Sequence, residues 1–139
     1  GYSCNSWYPL TYKKFQWLGD FGIFGYPVNA IVSVKSFTAK ERLLASGTGS
    51  LLAPTIGWGR FTDEKEFSPE RMVAYGYRSF LCIYMPNSTI IKISNETKKL
   101  LNFNNKPLIR DIKDFGTDLK NAKITRSSSH NNMLDFSTF

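Results

Sequence analysis

The stretch "RMVAYGYRSFLCIYMP", Arg71 to Pro86, decides what kind of fold this chain can adopt. Read in steps of two, it alternates Val73, Tyr75 and Tyr77, then Phe80, Cys82 and Tyr84, with the register breaking near Arg78-Ser79. Alternating β-branched and aromatic residues predict a strand with one buried face, and a break of one residue predicts a bulge or a tight turn. Pro86 has no N–H for a ladder and stops the strand.

A second strand signal lies upstream. "YPVNAIVSVK" sets Val28, Ala30, Val32 and Val34 against Asn29, Ile31, Ser33 and Lys35, and Pro27 can only open such a strand or lie at an edge. The preceding "FQWLGDFGIFGY" has three glycines among aromatics and reads as extended structure with bulges or turns. Between the two strand regions, Ala39 to Ala45 suits about two turns of helix behind a Thr38 cap and ahead of Gly47, with a hairpin as the competing reading. The glycines of "SGTGS" lack the spacing and the following Lys-Ser or Lys-Thr of a phosphate-cradling loop, so they read as a turn.

Downstream, "STIIKIS" predicts a short strand and "NETKKLLNF" a helical turn or a loop. Ile112, Phe115, Leu119 and Ala122 recur at spacings of three and four, the stripe of an amphipathic helix interrupted by Gly116. From Arg126 the chain is polar and poor in aliphatic residues, although Phe136 and Phe139 offer groups that can dock. The expected fold is therefore α+β, mainly an antiparallel sheet or sandwich with one late amphipathic helix. Its expected organisation is an N-terminal tether over 1–14, one globular domain over 15–124 and a polar C-terminal tail over 125–139.

The chain of 139 residues suffices for one domain with a real core. Eighteen Lys and Arg against eleven Asp and Glu give a net charge of +7, a field that attracts acidic partners. The basic residues come singly or in pairs, as in Lys13-Lys14 and Lys98-Lys99, without the runs of a basic arm, so nucleic acid is not the expected partner. No segment approaches the ~20 apolar residues of a membrane span. The opening "GYSCNSWYPL" reads as a mature start after removal of a signal peptide, or as a leftover of expression. Cys4 and Cys82 allow three states: lipid on Cys4, which would attach the chain to a membrane, a Cys4–Cys82 disulfide closing a long loop, or two free thiols.

Catalytic signals are sparse. The single histidine, His130, sits in the tail, and no Gly-x-Ser-x-Gly elbow is present. One His and two distant Cys do not make a zinc set, so neither metal nor cofactor is expected. Carboxylates alone can run acid–base chemistry, and the candidates are Asp20, Asp63, Glu64, Glu66 and Glu70. Most of these fall in "IGWGRFTDEKEFSPERM", interleaved with Arg60, Lys65 and Arg71, which favours a solvated loop or a handle for a partner over a reaction site. Trp58, between Gly57 and Gly59, either plugs the rim of the core or projects as an aromatic anchor. The partner-binding set expected from these residues is Trp58, Arg60, Asp63, Glu64, Lys65, Glu66 and Glu70. Two Asn-x-Ser/Thr triplets, at Asn87 and Asn95, matter only in a glycosylated secreted protein.

The order of short motifs, "GYPV", "GWG", "SPERM" ahead of an aromatic strand and "YMP" ahead of an aliphatic one, resembles the bacterial lipoprotein family known as domain of unknown function 2931. The resemblance covers about Phe21 to Ile93, and the chain departs from it in "YGYRSFLCIY", where the family tends to have a Trp and a Glu. It implies a lipoprotein facing the periplasm, without enzymatic activity. Small lipoproteins of this kind look like immunity proteins that neutralise a toxic effector of type VI secretion, often a lipase, by covering its active site. A structural envelope lipoprotein binding glycan or lipid is the alternative.

Overall fold

The computed structural model describes residues 20–23, 30–121, 124–126, 132–134 and 139. In chain order the elements are β1 (Phe21–Ile23), β2 (Ala30–Lys35), α1 (Lys40–Ala45), β3 (Thr55–Gly59), a 3-10 turn (Glu64–Phe67) and α2 (Pro69–Tyr77). There follow β4 (Phe80–Met85), α3 (Asn87–Ile90), α4 (Asn95–Lys98), β5 (Ile109–Asp111), a second 3-10 turn (Ile112–Asp114), α5 (Phe115–Asn121), β6 (Ile124–Arg126) and β7 (Asn132–Leu134).

The stretch from Arg71 to Pro86 splits at Ser79. Its first half is helical because Ser68 caps it, accepting the Arg71 N–H at 3.4 Å, and Pro69 fits the first turn, where no N–H is needed. Met72 and Tyr75, three residues apart, are buried, whereas Val73 and Tyr77 are exposed, so the true period here is helical. Ser79 then takes a left-handed conformation, φ 59°, and reverses the chain into β4, every residue of which is buried. The expected break near Arg78-Ser79 is real, but a helix and not a strand precedes it.

The fold is α+β. The main sheet, five-stranded among the described residues, has the order β1-β2-β3-β4-β5. Only β1 and β2 pair antiparallel within it; β2–β3, β3–β4 and β4–β5 are parallel. This corrects the expectation of a mainly antiparallel sheet with one late helix. Parallel neighbours need a crossover that returns the chain to its starting edge, and α1, α2 and the α3–α4 pair supply the three crossovers. The segment read as the strand "STIIKIS" is helical at α3, started by Pro86, and α4 is capped by Ser94, which accepts the Thr97 N–H.

Because β2 to β5 lie side by side in chain order, crossovers of one hand place their helices on one face. That face holds Leu43 of α1, Phe67, Met72 and Tyr75 of the second crossover and Ile93 of the third, packed on Phe80, Ile83 and Met85. The opposite face carries Ala30, Val32, Ile56, Cys82 and Tyr84, with Phe115 and Leu119 of α5 against it. Ala30, Val32 and Val34 do share a face as the alternation predicts, and Ile31 and Ser33 are buried on the other. Of the 112–122 stripe, Phe115 and Leu119 are helical in α5, Ile112 opens the 3-10 turn before it, and Ala122 lies outside the described residues. Phe139 docks on this second face, its main-chain oxygen accepting the Asn102 amide at 2.5 Å.

Candidate functional site

Parallel strands deliver their following loops to one edge of the sheet, the carboxyl edge. The connections after β2 and β3 meet there. Arg60 donates its N–H to Ser36 at 2.9 Å and Thr62 to Phe37 at 3.4 Å, so the chain leaving β3 is tied to the chain leaving β2. Gly59 makes this approach possible: a Cβ there would lie 2.5 Å from the Lys35 carbonyl oxygen and 2.5 Å from the Phe61 ring.

Beyond Phe61 the charged stretch folds into the 3-10 turn. Asp63 starts it by accepting the Lys65 N–H at 3.0 Å. Phe67 holds it down, packed against Phe61 at 5.3 Å and Tyr75 at 6.4 Å between ring centroids. Anchoring Phe67 in the core draws its neighbour Glu66 inward, leaving that side chain 5% exposed.

Glu66 Oε2 accepts the Ala39 N–H at 2.7 Å. Ala39 stands at the N-cap of α1 with no hydroxyl or amide of its own, so a carboxyl group from the next crossover performs the capping expected of Thr38. Glu66 Oε1 is also buried and has no hydrogen-bond partner within the protein. Leaving a buried polar atom without a partner costs about 1–3 kcal/mol, so an oxygen in this position calls for a donor.

Glu66 lines an open cavity of about 360 Å³ together with Glu41, Asp63, Lys65 and Arg71. Arg71 is ion-paired with Glu41 across the two crossovers. Three residues of the expected partner-binding set, Asp63, Lys65 and Glu66, are thus brought together, and two from outside that set complete the wall: Arg71, from the same charged stretch, and Glu41, which sequence reasoning missed. Arg60, Glu64 and Glu70 do not line it. Glu70 is exposed on α2, its carboxyl held below the usual value by a hydrogen bond with Ser68.

Trp58 is set apart from these charges. Its side chain lies on the opposite face of the sheet, half-buried and 6.5 Å from the Phe115 ring, where it lines an apolar cavity of about 370 Å³ with Val34 and Leu119. The expected union of aromatic anchor and charged loop is not formed, because Trp58 belongs to a strand whose alternate side chains face away from the crossovers. Asp20, at the other end of the carboxylate list, accepts the Val34 N–H at 2.6 Å and lies 3.9 Å from Lys35.

A second charged cluster went unnoticed in the sequence. Arg110 on β5 donates to Asp118 of α5 at 3.0 Å, and the Tyr84 hydroxyl donates to the same oxygen at 2.6 Å. The guanidinium stands 5.4 Å above the Phe139 ring. This group ties α5 and Phe139 to the sheet, beside an open cavity of about 530 Å³ that Asn87 and Lys106 also line.

Cys82 is a free thiol buried at the centre of β4, where burial pushes its ionisation up to about 12; Cys4, its partner in the alternative disulfide, is not among the described residues. Cys4, the expected lipidation site, His130 and the tether over 1–14 lie outside the described residues. Among the described residues, no group of three or more His, Cys, Asp or Glu is placed to hold a metal ion, and no helix is long and apolar enough to cross a membrane. No family model matches the chain, and no curated protein or solved structure matches it either.

Proposed function

We propose that this protein is a binding module that uses the carboxyl edge of its parallel sheet to engage another protein. The observation that carries this reading is the convergence of Glu41, Asp63, Lys65, Glu66 and Arg71, from two successive crossovers, around one open cavity. Its carboxyl groups have structural partners: Asp63 starts the 3-10 turn, Glu66 caps α1, and Glu41 pairs with Arg71. Carboxyl groups committed in this way make a rigid, mixed-charge surface suited to recognition. The motif order that resembles the lipoprotein family makes the specific form of this proposal a periplasmic immunity lipoprotein, non-enzymatic, that covers the active site of a type VI effector. A net charge of +7 speeds encounter with an acidic partner of that kind.

The test is to recover the tagged protein from its native host and identify stoichiometric partners by mass spectrometry. A secreted protein recovered with the wild type and lost with the double variant Asp63→Arg, Lys65→Glu supports the reading. Both side chains are exposed, but Asp63→Arg removes the acceptor that starts the 3-10 turn, so the loss counts only where the double variant unfolds in urea at the same point as the wild type. Recovery of envelope components alone, or a partner retained by the double variant, overturns it.

A further inference from the structure

Glu66 uses its two oxygens differently. Oε2 satisfies the Ala39 backbone, a task that any neutral acceptor would perform, whereas Oε1 is buried without a donor, on a side chain that lines the cavity. Capping therefore does not account for the second oxygen or for the charge.

The neighbouring charges select what kind of donor fits. Glu41 and Arg71 are paired and cancel. What remains is Asp63 and Glu66 against Lys65, one negative charge in excess, in a cavity otherwise open to solvent. That balance repels a carboxylate or phosphate and favours an organic cation. A metal ion fits poorly, since the described carboxylates are not grouped closely enough to coordinate one. A single ammonium or guanidinium needs only one buried oxygen, because its other N–H groups can stay with water and the rim.

We propose that this cavity receives the basic side chain, of the lysine or arginine class, of the partner protein, with Glu66 Oε1 as the buried acceptor. The proposal rests on the reading of this edge as the binding surface and names the group recognised there. Lys65, exposed on the same cavity, competes with the incoming cation through its own charge. The chain's overall positive field still steers it toward proteins of net negative charge, so the partner is an acidic protein that presents one basic anchor.

The experiment is a titration of the full chain, followed by amide chemical shifts, with Nα-acetyl-lysine methylamide, its arginine counterpart and the neutral norleucine counterpart. The Ala39 and Glu66 amides should move with a cationic probe and not with norleucine, and the stronger of the two cationic probes identifies the side chain. Glu66→Gln keeps an acceptor for Ala39 but removes the charge, and should weaken binding about tenfold or more through loss of a charge-assisted hydrogen bond. Lys65→Ala should strengthen binding by roughly two- to fivefold through removal of a nearby like charge. Equal shifts with norleucine, or equal binding to Glu66→Gln, overturn the proposal. If Glu66→Gln fails to fold, Lys65→Ala decides: a gain supports the site, and no gain sinks it. No partner is needed for these readouts, so failure to recover a partner from the host would count against the proposed function and leave the cation site to be judged separately.

Discussion

The Tyr84 hydroxyl reaches from the middle of the sheet to Asp118 of α5 at 2.6 Å, on the same carboxylate oxygen that takes the Arg110 guanidinium at 3.0 Å. Both charged side chains are largely covered, at 10% and 18% exposure, so the pair is not an ordinary surface ion pair. Asp118→Asn keeps an acceptor but removes the charge that balances Arg110. It should lower stability by about 1–3 kcal/mol in urea unfolding. A change below about 0.5 kcal/mol would mean that α5 is held by Phe115 and Leu119 alone.

Glu66 gives a contrast between two substitutions. Glu66→Ala strands the buried Ala39 N–H and should lose about 1–2 kcal/mol, as deletion of an N-cap does, while Glu66→Gln should lose much less. Unfolding curves for the two variants measured side by side would show whether the capping bond is the main structural use of this side chain. Equal losses would show instead that the charge itself stabilises the fold.

Burial makes Cys82 a silent thiol. With its ionisation pushed up to about 12 from an ordinary 9.0, it should not react with an alkylating reagent at pH 8 until the protein unfolds. The same shift has a consequence for stability. A thiol whose folded value is raised stabilises the native state fully below the unfolded value near 9.0, and this contribution is lost as pH rises toward about 12. Tyr75 and Tyr84, also raised chiefly by burial, act in the same direction. Melting temperature should therefore fall steadily above pH 9, and rapid alkylation of the native protein at pH 8 would contradict the buried placement.

Trp58 should behave as packing and not as an anchor. Trp58→Ala removes half-buried contacts with Val34 and Phe115 and should cost about 1–3 kcal/mol. Binding of a cationic probe at the Glu66 cavity should be unchanged, since the indole lies on the other face of the sheet. Parallel denaturation and binding curves separate the two effects, and loss of binding at unaltered stability would reverse the assignment.

Gly59→Ala should be among the more damaging single-atom additions in the chain. The new Cβ would fall 2.5 Å from the Lys35 carbonyl oxygen, a backbone atom, as well as against Phe61. A loss of about 1–3 kcal/mol is expected by thermal or urea unfolding, typical of forced overpacking. A neutral result would show that β2 and β3 can separate at their carboxyl ends without consequence.

Much of the local structure was legible from neighbours in the chain. The alternation of Ala30, Val32 and Val34, the arrest at Pro86, the break beside Ser79 and the stripe of Phe115 and Leu119 are short-range patterns, set by side-chain volume and backbone geometry. So was the crowding of charge between Arg60 and Arg71. The reading failed where two periods fit the same residues. Val73, Tyr75 and Tyr77 alternate in steps of two, yet Ser68 and Pro69 start a helix in which Tyr75 turns inward and Tyr77 outward.

Helix in place of strand there, and again in "STIIKIS", changed the sheet. Once α1, α2 and α3–α4 are crossovers, the strands they join run parallel, and their carboxyl ends must gather at one edge. The sequence by itself determined which residues would be apolar, which would turn the chain and where charge would collect. Only the tertiary structure decided that Glu41 and Arg71 would meet, that Glu66 would cap a helix 27 positions away, and that Trp58 would face away from the charges beside it. These are contacts between distant segments, and their geometry depends on the handedness and direction of the crossovers, which no stretch of a few residues encodes alone.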